Sequence, residues 1–148
     1  MFTISVDDRD IRLAMQALSD RLLDMRPALD AIGMEIEGRV SARFESESDP
    51  SGRAWAALKP GTIRSYPKGG NNRILDRFGD MLDSLGHYAD QDSVTIGFGK
   101  DYAVYHEFGT RKMVRRGLLT DDPVARTLTP EDERTVLDIL NLHLREAL

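Results

Sequence analysis

His106 and Glu107 are the one place where a histidine stands beside a carboxylate in this chain. Such a pair can act as an oriented general acid or base near neutral pH. It lies in Tyr102-Ala103-Val104-Tyr105-His106-Glu107-Phe108-Gly109, a short aromatic run closed by glycine. Neighbouring residues on a helix project about 100° apart, so the two side chains do not readily share one site. A polar partner for nearby backbone or subunit groups suits them better than catalysis.

Other chemistry is thinly supported. His87, His106 and His143 have no metal-ligand spacing, and there is no His-Glu-x-x-His motif. Gly97-x-Gly99 supplies two glycines of a dinucleotide fingerprint but lacks the third. Gly-x-Ser-x-Gly and Walker-type loops are absent, and Ser41, Ser46 and Ser48 stand in no nucleophile-elbow context. Glu45, Glu47 and Asp49 lack the order of a calcium loop and read as a solvated helix end. The sequence therefore calls for no cofactor, no metal and no catalytic set.

Arg111, Lys112, Arg115 and Arg116 are the candidate partner-binding residues. They could contact phosphate, but no aromatics are interleaved for base stacking. They could equally form a solvated loop, or order against the acids of a neighbouring copy. Asp121, Asp122, Glu131, Asp132 and Glu133 would supply those acids if subunits repeat around a ring.

The elements that must position these groups follow from periodicity. Phe2, Ile4 and Val6 alternate with polar residues and predict a short opening strand. Asp7, Asp8 and Asp10 then start a helix whose apolar positions are Ile11, Met15, Leu18, Leu22, Met25, Leu29, Ile32 and Ile36, continuing at Val40 and Phe44. The four-three steps make a heptad seam, which packs either on this chain's own sheet and last helix or on a neighbouring subunit. Pro27 interrupts the run, giving either one kinked helix or, the favoured reading, two helices with Pro27 in the first turn of the second. Residues 46–52 form a loop by composition, and so do residues 65–73. Ile74, Leu75, Phe78, Met81, Leu82 and Leu85 have helical spacing, with Gly79 as a weak point.

His87 to Ala89 and Val94 to Phe98 predict a hairpin around Asp90-Gln91-Asp92-Ser93. Residues 110–128 carry no clear period and are expected to form one long mobile loop. Thr129-Pro130-Glu131-Asp132 gives an N-cap, an N1 proline and first-turn acids for a last helix. Its buried face is expected to carry Val136, Leu137, Leu140, Leu144 and Leu148.

A chain of 148 residues is one domain by length, here 1–148, and can bury roughly 70% of its unfolded surface. With 41% hydrophobic and 30% charged residues it has the composition of a globular protein. A net charge of −5 argues against wrapping nucleic acid through the overall field. The absence of cysteine excludes disulfides and thiolate metal sites. No apolar run reaches the ~18 residues needed to span a bilayer, and the first residues lack a signal-peptide pattern, so a cytoplasmic protein is expected.

The order strand, glycine turn, Tyr102-Ala103-x-x-His106-Glu107-Phe108-Gly109 resembles the signature of the phage virion morphogenesis (tail-completion) family. Trp55-x-x-Leu58 and Ile74 to Leu85 are similar to further segments of that family, as is the acid-rich start of the last helix. The resemblance covers about residues 53–145. Many members read Ile-Pro-Ala-Arg-Pro-Phe-Leu-Gly before the last helix. Here Met113 to Thr120, followed by Asp121-Asp122-Pro123, keeps only the basic character and the leucine pair.

The resemblance implies a structural phage protein that completes the tail and joins it to the DNA-filled head. It implies action by contact with other tail and neck proteins, in a homo-oligomeric ring around the DNA channel, without a cofactor or enzyme activity. DNA then passes nearby without specific binding, and no membrane is involved. The place of work is the host cytoplasm during assembly and the virion tail or neck afterwards. The fold class expected is α+β: N-terminal helices, a small antiparallel sheet and a C-terminal helix. Tyr102, Tyr105, His106, Glu107, Phe108 and Gly109 form its structural motif, with the three aromatics expected to hold the fold. The alternatives are a dimeric DNA-binding regulator using the seam and basic loop, or a small hydrolase using His106 and Glu107.

Overall fold

The computed structural model describes residues 8–70 and 72–148. The expected opening strand at Phe2, Ile4 and Val6 lies outside them. In chain order the elements are α1 (Arg9–Leu23), α2 (Arg26–Ser46), α3 (Pro60–Arg64), α4 (Asp80–Asp83), β1 (Leu85–Ala89), β2 (Val94–Phe98), α5 (Ala103–Phe108) and α6 (Pro130–Arg145). The class is α+β, as the sequence indicates.

Helix α2 is the axis of the molecule. Pro27 sits in its first turn, where a missing N–H costs no hydrogen bond, so the seam breaks into two helices at Asp24 and Met25. Ala28, Ile32, Ile36, Val40 and Phe44 are buried along one stripe. A fully buried side chain of this kind contributes about 1.5–3 kcal/mol. Trp55 closes the lower end, its ring edge-on to Phe44 at 5.4 Å and its indole N–H donating to the Gly117 carbonyl at 3.0 Å. Met81, Ala103 and Leu118 complete the core.

The hairpin and α6 both pack on α2. β1 and β2 are antiparallel, with Leu85 opposite Phe98, His87 opposite Ile96 and Ala89 opposite Val94. A lone hairpin is marginal in water, so this one depends on its contact with α2. Its connecting turn is held by Asp90, whose carboxylate accepts from the N–H groups of Asp92 and Ser93. Those hydrogen bonds lower the pKa of Asp90.

Four expectations need correction. Ile74 to Leu85 is not one helix: Leu75 has φ +63°, Gly79 has φ +82°, and only Asp80–Asp83 turns helically. Ile74 and Leu75 reach the core from a turn, Met81 and Leu82 from α4 and Leu85 from β1, while Phe78 is exposed. The apolar seam is buried only beyond Pro27, at Ile32, Ile36, Val40 and Phe44, while Ile11, Met15 and Leu22 before it are more than half exposed. On α6, Val136, Ile139 and Leu140 pack inward while Leu137 and Leu148 are exposed. Finally, residues 110–128 are not a free loop but a fixed strap, as the site geometry shows.

Arg43 and Asp132 are a buried ion pair at 2.5 Å that locks α6 to α2. Thr129 caps α6 by accepting from the Asp132 N–H, and Arg43 also donates to the Leu118 carbonyl at 2.9 Å. Asp132 reads in sequence as an ordinary first-turn acid, and only its neighbour in space makes it part of the core.

Candidate protein-docking surface

β2 delivers the chain into α5 through Gly99, whose N–H donates to the Ser84 carbonyl at 2.9 Å. α5 then buries Ala103 and Glu107, one helical turn apart, and turns Tyr102, Val104, Tyr105 and Phe108 outward. The three aromatics expected to hold the fold are 43%, 55% and 52% exposed, so that assignment is corrected. The holding is done by the polar member of the motif.

The Glu107 carboxylate accepts from the N–H groups of Leu118 at 2.6 Å, Leu119 at 3.1 Å and Thr120 at 2.9 Å, and from the Thr120 hydroxyl. Consecutive backbone N–H groups wrapped around an anion form a nest. Arg115 braces the same nest, donating to the carbonyls of Glu107 and Thr120, each at 2.7 Å. Arg116 runs the other way and donates to the carbonyls of Ala56 at 2.8 Å and Ala57 at 3.1 Å. Gly109, at φ +75°, lets the chain turn back over itself: a β-carbon there would lie 3.0 Å from the Arg115 nitrogen.

The four candidate cations therefore separate. Arg115 and Arg116 are brackets inside the fold, whereas Arg111 and Lys112 are exposed on the turn between Thr110 and Met113. The acids proposed to meet them across a subunit boundary are largely engaged within the chain. Asp132 holds Arg43, Glu131 meets Arg39 at 3.1 Å, Asp121 accepts from the Ser51 hydroxyl, and Asp122 caps its own turn.

His106 and Glu107 diverge around α5 and share no hydrogen bond. Glu107 is inside, while His106 faces a groove and has its pKa lowered by burial and then by the Arg116 charge. That groove, of about 630 Å³, is lined by Leu58, Tyr66, Leu75, Phe78, Met81 and Val114, among others. A second groove of about 530 Å³ lies across α5, walled by Phe98, Val104, Tyr105, Phe108, Leu118 and Leu119. No group of three His, Asp or Glu residues among those described is placed to hold a metal ion. Sequence reading missed the first groove because its walls come from four separate segments. Only Arg77, Phe78 and Gly79 are adjacent in sequence, and Tyr66 joins them through the fold.

Exposed aromatics on α5, together with the two largely apolar grooves that it borders, make a candidate protein-contact surface. The phage virion morphogenesis family matches residues 6–145, and the chain belongs to that family. Searches of curated proteins and of solved structures gave no match. Family membership makes this a bacteriophage virion-assembly protein, working with other virion proteins. No described helix is long and apolar enough to cross a membrane.

Proposed function

We infer that this protein completes the phage tail and joins it to the DNA-filled head, acting through protein–protein contacts rather than catalysis. The observation that carries this reading is the outward row Tyr105 and Phe108 on α5, fixed from beneath by Glu107. Aromatic residues of this kind, presented on a braced element, are the usual anchors of an interface. Copies of the chain form a ring at the tail end, and Arg111 and Lys112 supply polar contacts at its rim. The negative net charge lets DNA pass without being retained.

Deleting the gene from its phage or prophage and imaging the induced lysate by electron microscopy tests this function. Separate DNA-filled heads and finished-length tails are the expected result. Joined, infectious particles would overturn the reading.

A further inference from the structure

We propose that the groove beside His106 is a receptor for an acidic peptide segment bearing an aromatic or aliphatic anchor. This deepens the assembly reading and rests on it only in taking that segment to belong to another virion protein. The groove reverses the sign of the molecule. The chain carries a net charge of −5, yet the groove's lining holds Lys59, Arg77, Lys112 and Arg116 against the single carboxylate of Asp80. Charge complementarity of this sort selects a partner and accelerates encounter.

The cations are arranged for a peptide. Arg116 is spent on the Ala56 and Ala57 carbonyls and contributes field from behind. Arg77 is held in place, its guanidinium 5.0 Å from the centre of the Phe78 ring and 5.9 Å from that of Tyr66. Lys59 and Lys112 are exposed at the mouth, where a partner's carboxylates can reach them. Between them lies an apolar floor that includes Met81 and Met113, side chains that adapt to the shape of an inserted anchor. At about 630 Å³ the space lies within the ~300–1,000 Å³ of ordinary binding pockets. Phe78 and Val114 are 65% and 55% exposed at this face, apolar surface that a phosphate backbone would leave uncovered. That favours a peptide over nucleic acid.

The test uses the full chain and three labelled probes in fluorescence anisotropy. One is a short amphipathic peptide alternating Glu with Leu and Phe. The second is the same peptide with Lys for each Glu, and the third is a duplex oligonucleotide. The acidic peptide is expected to bind at least about tenfold tighter than the basic one. Lys59→Glu with Lys112→Glu, and separately Val114→Ser, should each weaken it severalfold while leaving the melting temperature unchanged. Absence of binding up to about 1 mM acidic peptide would overturn the proposal. So would equal affinity for both peptides, tighter binding of the duplex, or affinity insensitive to the substitutions. Concentration-dependent self-association abolished by Val114→Ser, a change inside the groove and away from the rim cations, would also overturn it, since the occupant would then be a second copy. Failure here leaves the deletion phenotype untouched, and failure of the deletion experiment leaves peptide affinity untouched.

Discussion

Gly33 of α2 and His87 of β1 occupy one space: a β-carbon on Gly33 would stand 2.2 Å from the His87 ring. The glycine lets the imidazole lie flat against the helix between two carboxylates. Nε2 lies 3.0 Å from Asp30, and Nδ1 lies 2.9 Å from Glu37, off the line of a hydrogen bond. Gly33→Ala would gain helix propensity of about 1 kcal/mol but must expel the ring. We expect a net loss of about 1–2 kcal/mol by urea unfolding, since overpacking costs about 1–3 kcal/mol and both ionic contacts go with it. The same Gly33→Ala change placed on His87→Ala should be neutral or stabilising. Equal losses in both backgrounds would show that the two residues are not coupled.

His87 and His106 should pull the pH dependence of stability in opposite directions. Glu37 and then Asp30 raise the pKa of His87 above its ordinary value near ~6.5. Its contribution is thus full below that value and is lost as pH rises through the raised folded pKa. Burial lowers the pKa of His106, so its contribution is present above ~6.5 and is lost as pH falls through the lowered one. Thermal melts of His87→Asn should show a smaller decline on the alkaline side than the parent. Melts of His106→Asn should show a smaller decline on the acid side. Unchanged profiles in both variants would rule this out.

Breaking the Arg43–Asp132 pair should be the most damaging single polar change. Asp132→Ala leaves a buried guanidinium without its partner, a loss of about 3–5 kcal/mol. It also loosens α6 from α2, so calorimetry should show a large drop in melting temperature. A drop within the range of surface substitutions would mean that Arg43 finds another carboxylate.

Glu107→Gln keeps the shape of the side chain but removes the charge that gathers the N–H groups of Leu118, Leu119 and Thr120. Hydrogen exchange at those amides should accelerate together, with a stability loss of about 1–3 kcal/mol. Exchange that rises at only one of them would argue against a shared nest.

Tyr105→Ser and Phe108→Ser should leave stability within about 0.5 kcal/mol, because both rings are more than half exposed. In a complementation assay with the deleted phage they should nevertheless lower the yield of joined particles. A melting temperature that falls sharply instead would return these rings to the fold-holding role their sequence suggests.

Local chemistry made much of this legible in advance. The helix break at Pro27, the Asp90 turn of the hairpin, the Thr129-Pro130 start of α6 and the divergence of His106 and Glu107 around α5 are decided by residues adjacent in the chain. Their energies are local too: a missing N–H, an Asx turn, a capped first turn and a 100° angular step. The family signature is legible for the same reason, since its residues lie within one short run.

Only the tertiary structure decided which apolar and charged residues face inward. Tyr105 and Phe108 have the composition of core, but Ala103 and Glu107 share the buried side of α5. Arg115 and Arg116 look like a solvated cluster, yet each finds backbone carbonyls that the fold has left open. Asp132 is buried because Arg43, 89 positions earlier, lies under it. Periodicity along a chain reports which residues share a face. It carries no information about which face meets a partner, because that depends on packing between segments far apart in sequence.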